Sequence, residues 1–128
     1  MKNSLLTGVF ALAALMLGAC SSDVLPEPVE TPCVDITPNY VDDIQGIIER
    51  SCAYSGCHLG GAPGTYNDYA GLLPDLESGR FENRVVSLRA DPNVGMPPDY
   101  APSDRPKDLT PGDLEMIICW LENGFPEQ

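Results

Sequence analysis

Cys52-Ala53-Tyr54-Ser55-Gly56-Cys57-His58 decides how this chain is read. It sets two of the five cysteines directly before the single histidine. On a regular helix, residues five apart are separated by roughly 140°, so a straight helix cannot present both thiols to one side. The segment has to leave the helix between them. Ser55-Gly56 is suitable material, because glycine accepts backbone conformations that other residues resist.

Thiol, thiol and imidazole, in that order, are what covalent haem attachment requires. Each cysteine adds to a vinyl group of the porphyrin, and the histidine behind the second reaches the iron. The common spacing has two residues between the cysteines, and here there are four; the longer spacing also occurs among multihaem c-type cytochromes. Two further readings stand beside it. One is a Cys52–Cys57 disulfide with His58 on the surface. The other is a Cys/His metal site, although zinc or copper asks for more ligands than this chain's histidine count offers.

An iron held by one histidine needs a sixth ligand or an open face, and a methionine thioether suits electron transfer. Of the four methionines, Met1 and Met16 fall in an N-terminal apolar segment and Met116 lies in mid-helix. Met96 sits in the loop Gly95-Met96-Pro97-Pro98, where glycine permits close approach and the prolines stiffen the chain. Gly60-Gly61, just after His58, would let backbone pass close to a porphyrin. Tyr66 and Tyr69 are read either as packing on it or as core.

Helical periodicity accounts for the rest. Asn39 caps a helix with Val41, Ile44, Ile47 and Ile48 on one face. A second helix is expected from Thr65, with Asp68 closing a capping box, and a third over residues 79–88. The last has Thr110 as cap, Pro111 at its first position, Asp113 as capping-box partner, and a stripe of Leu114, Ile117, Ile118 and Leu121, ending at Asn123-Gly124. Trp120 falls at the edge of that stripe and is read as packing. No stretch alternates with a two-residue period. The expected fold class is all-α, about four short helices joined by long Pro- and Gly-rich loops, with a core thin for its size.

Residues 1–19 read as an export signal: Lys2, then an uncharged apolar run too short to span a bilayer comfortably. Leu17-Gly18-Ala19-Cys20 resembles a bacterial lipobox, which implies cleavage before Cys20 and its lipidation. Residues 20–38, with four prolines among acids, form an extended tether, and 39–128 the folded domain. The expected location is extracytoplasmic, lipid-anchored to a bacterial membrane. The formal net charge of −12 argues against nucleic acid and suits either simple solubility or a redox partner with a basic docking face.

The order of these features resembles a small class I cytochrome c domain over residues 39–126, with Cys119-Trp120-Leu121-Glu122-Asn123-Gly124 in its closing helix. That resemblance implies one covalent haem c around which the helices fold. Cys52 and Cys57 are then thioether anchors, and His58 and Met96 the axial ligands. Gly60 and Gly61 lie along the porphyrin. With Cys20 acylated, Cys33 and Cys119 are left as a possible disulfide, since spare thiols outside the cytoplasm tend to pair. The function so implied is electron transfer between extracytoplasmic partners, without enzymatic activity of its own. The alternatives are a haem-based ligand sensor and a haem-free, disulfide-stapled surface lipoprotein.

Overall fold

The computed structural model describes residues 33–128. The signal segment, Cys20 and the tether as far as residue 32 lie outside them. Among the described residues there are four α-helices, two π-helical stretches and no strand: α1 (Gln45–Ser51), entered through the π-helical Tyr40–Ile44; α2 (Tyr69–Glu77); α3 (Arg80–Glu82), continued by the π-helical Asn83–Ser87; and α4 (Pro111–Glu122). The domain is all-α, as the periodicity predicts. None of these helices is long and apolar enough to cross a membrane.

The first helical segment starts where its cap dictates. Asn39 accepts the Asp42 amide at 2.9 Å through its side chain, and its own amide donates to Asp43 Oδ2 at 3.0 Å, so two otherwise orphaned donors are satisfied. Ile44, Ile47 and Ile48 turn into the core, whereas Val41 is exposed. The π-helical turn shifts the register of the face, which accounts for Val41 missing the stripe.

The second helix begins at Tyr69, four residues later than the sequence predicts. Asp68 is its N-cap and not a capping-box partner, and its Oδ1 accepts the Gly71 amide at 2.8 Å. Thr65 cannot open the helix because Tyr66 must turn inward to reach Asp75. The α4 cap differs in one respect. Thr110 Oγ1 accepts the Asp113 amide at 3.1 Å as expected, but the Asp113 carboxylate pairs with Arg50 of α1.

Trp120 occupies the centre of the core and not the edge of a stripe. It is fully buried and meets Phe81 edge-on with ring centroids 6.4 Å apart. Phe125 and Tyr40 lie beside it, and its Nε1–H donates to Pro126 O at 2.9 Å. Gly124, at φ +80°, ends α4 in a Schellman turn: its amide donates to Leu121 O and the Phe125 amide to Trp120 O. The tail then runs back to the start of the first helical segment, where Tyr40 and Val41 donate to Pro126 O and Glu127 O.

Cys33 and Cys119 form a disulfide with Cα atoms 5.2 Å apart, linking positions 86 residues distant. Cys119 is fully buried, and Asn123 Nδ2 donates to Ile36 O at 3.2 Å. Residues 33–38, tether by composition, are therefore docked on the domain. Replacing both cysteines with serine is expected to lower the unfolding free energy by about 4 kcal/mol, chiefly through the longer unshackled unfolded chain. Urea denaturation monitored by circular dichroism measures it.

Candidate functional site

The segment after α1 folds as the cysteine spacing demands. Cys52 and Ala53 still donate to Ile48 O at 2.8 Å, after which the chain leaves the helix. Gly56 takes φ +87°, and His58 N–H reaches back to Cys52 O at 3.2 Å. The loop then closes on itself, with Gly61 donating to Cys57 O at 2.8 Å. A Cβ on Gly61 would collide with the Gly56 backbone, so this position needs glycine for the loop's own closure.

The loop forms one wall of a cavity of about 590 Å³, within the range of small-molecule and cofactor pockets. Cys52, Cys57 and His58 line it, and so does Met96, which arrives from a separate loop. Gly61 also lines the cavity; Gly60 is an exposed turn residue at φ +113°. Neither Cys52 nor Cys57 is in a disulfide. Burial first, and Cys57 second, push the Cys52 thiol up to about 12, so it stays protonated at neutral pH.

Met96 is pinned by its backbone. Its amide donates to Arg84 O at 3.1 Å, tying the loop to the second π-helical stretch. A Cβ on Gly95 would strike the carbonyl oxygens of Arg89, Asp91 and Leu88, so only glycine lets the chain pass into position here. The Met96 side chain is partly buried against the core.

His58 has one ring nitrogen engaged. Its Nδ1 lies 3.2 Å from Gly64 O. A carbonyl can only accept, so Nδ1 is the donor in this contact, and Nε2 is the ring nitrogen left for other partners. The imidazole lies face to face with the Tyr66 ring, centroids 4.0 Å apart and planes within 2°. Tyr66 in turn donates to Asp75 Oδ2 at 2.6 Å, and burial together with this carboxylate raises the phenol's pKa. Tyr69 takes a different place: its hydroxyl donates to Phe125 O at 2.9 Å.

Several cavity residues carry no conspicuous motif. The Ser51 and Tyr54 hydroxyls are buried in its wall without a hydrogen-bond partner among the described residues. Burial, followed by the adjacent Cys57, pushes the Tyr54 phenol up to about 12. Arg80 and Arg84, four residues apart, both reach the cavity of this acidic protein. One sequence signal could have pointed to Asp75: it interrupts the apolar face Leu72–Leu76 of α2, where an acid is buried only if partnered.

No family model, curated protein or solved structure matches the chain. The site's chemistry is therefore argued from its own donors. Two thiols, an imidazole and a thioether share one cavity, with orphaned hydroxyls and two guanidinium groups around it. That set fits an apolar macrocycle that bears a metal and carboxylates. The thiols could attach such a group covalently, the imidazole and thioether could ligate its metal, and the hydroxyls and arginines could receive its carboxylates.

Proposed function

We propose that this protein is a membrane-anchored c-type cytochrome that passes single electrons between partners outside the cytoplasm. The observation that carries this reading is the convergence of Cys52, Cys57, His58 and Met96 on one cavity, although Met96 lies 38 residues beyond His58 in sequence. Cys52 and Cys57 would hold the haem covalently, and His58 and Met96 would ligate its iron. Tyr54, Arg80 and Arg84 are the groups suited to its carboxylates. Bound there, haem supplies one-electron exchange between ferric and ferrous iron.

The chain's own contribution is selection and protection. The soft, neutral sulfur of Met96 and the surrounding apolar wall favour the ferrous state. The Gly64 carbonyl engages Nδ1 of His58, which would leave Nε2 for the iron, and the Met96 loop, tied to Arg84 O, would present the thioether. The overall negative charge matches a partner with a basic docking face. Cys20 lipidation and the tether would keep the domain at the membrane while it exchanges partners.

Haem staining of the denatured protein on a gel is the direct test, because only covalently held haem survives. A colourless band from a host with full c-type maturation machinery would overturn the proposal. Replacing Met96 with alanine is expected to lower the reduction potential and open a coordination position, seen as carbon monoxide binding to the reduced protein. Carbon monoxide binding by the unaltered protein would instead favour a ligand-sensing role.

A further inference from the structure

Asp75 is the one acidic side chain in the buried class among the described residues, 5% exposed, and it borders the cavity. Both its oxygens are engaged. Tyr66 Oη donates to Oδ2 at 2.6 Å, and Arg80 Nη1 donates to Oδ1 at 2.6 Å. Charge-assisted bonds of this length fix geometry as well as energy. Their consequence is felt one residue further on, because the Tyr66 ring tethered by Asp75 is the surface on which His58 lies flat.

His58 is thereby held in two independent ways. The Nδ1–H bond to Gly64 O fixes one edge of the ring, and the parallel stack on Tyr66 fixes its face. Gly64, at φ +83°, makes the arrangement possible. A Cβ there would come within 2.9 Å of Asp75 Oδ2, 3.0 Å of Tyr66 Cε1 and 3.7 Å of His58 Nδ1. A side chain at this one position would therefore meet every member of the group except Arg80. A partly exposed histidine would ordinarily sample several rotamers; this one has both its edge and its plane prescribed.

We infer that Arg80, Asp75 and Tyr66 form a positioning relay that fixes the plane of the His58 imidazole at the cavity. The inference deepens the haem reading and rests on it for its consequence: in an axially ligated haem, the plane of the imidazole sets how unpaired spin spreads over the porphyrin. Tyr66 and Asp75 are positioning residues, since they act through His58.

The chain's single histidine makes the test specific, because no second histidine contributes imidazole signals to the NMR spectrum. In the full chain without haem, the Tyr66 ring current is expected to displace the His58 ring protons upfield. Asp75→Asn, which keeps shape and volume but cannot accept from two donors as a carboxylate does, should reduce that displacement. Tyr66→Leu should abolish it, and Tyr66→Phe should retain part of it. In the haem-loaded ferric protein, the pattern of haem-methyl hyperfine shifts should change in Asp75→Asn and Tyr66→Leu. Should Tyr66→Leu not fold, the near-isosteric Asp75→Asn and Tyr66→Phe decide the matter. Ring-proton and haem-methyl shifts unchanged in Asp75→Asn would overturn the relay. An absence of covalent haem would overturn the haem reading alone, with the ring-proton measurements still deciding whether the relay exists.

Discussion

Replacing Cys52 and Cys57 together with serine is expected to abolish the haem stain of the denatured chain. Replacing His58 with alanine should leave the stain wherever attachment is completed and remove the low-spin spectrum instead. The two losses differ because the groups do different work. A serine hydroxyl matches the thiol in size but forms no thioether, so nothing holds the porphyrin once the fold is gone. In the native double variant His58 and Met96 could still grip haem, which is why the measurement has to be made after denaturation. Each single cysteine variant keeps one thioether and should retain stain. Both thiols border the cavity and both are free, so their roles are parallel. Stain surviving in the double variant would show that neither cysteine is an attachment point.

The sequence made the site's reactive atoms legible better than it did their support. Cys52, Cys57, His58 and Met96 carry rare chemistry, and such residues stand out one at a time. The loop at Ser55-Gly56 was also legible, because helical geometry forbids the alternative and Gly56 takes the positive φ the turn needs. The relay behind His58 was not. Tyr66 looks like any core aromatic, and Asp75 like any helix acid, until α2 is known to start at Tyr69 and turn Asp75 inward. That start depends on a contest between two caps. Thr65 offers the better local pattern, and Asp68 wins because Tyr66 is drawn to Asp75 through a contact nine residues away.

Burial on α4 departs from its periodic stripe for a related reason. A stripe drawn through Leu114, Ile117, Ile118 and Leu121 places Trp120 at its margin and Cys119 beside acids. In the fold Ile117, Cys119 and Trp120 are the buried positions, while Leu114, Ile118 and Leu121 are only partly covered. The disulfide and the returning C-terminal tail supply cover on a side of the helix that periodicity treats as solvent. Non-local closure of this kind leaves no mark in the local periodicity.

Trp120→Ala is expected to cost about 3–5 kcal/mol of stability, the usual range for truncating a fully buried tryptophan. That is a large share of the roughly 5–15 kcal/mol available to a domain of this kind. Three losses combine. The indole leaves a void between Phe81, Phe125 and Tyr40, and Pro126 O loses one of its two donors, keeping only the Tyr40 amide. The Phe81 ring, which also borders the cavity, loses the surface that backs it. Trp120→Phe keeps most of the apolar area and forfeits mainly the Nε1 bond, so it should cost only about 1–2 kcal/mol. The comparison gains force when each variant is unfolded by urea with and without haem. If a porphyrin completes this thin core, as the proposed function requires, it adds apolar burial in contact with Phe81 and the haem-loaded protein has stability in reserve. Trp120→Ala should then unfold the haem-free chain at low denaturant and merely shift the midpoint of the loaded one. Equal unfolding midpoints for loaded and unloaded protein would mean that the cavity contributes nothing to the core.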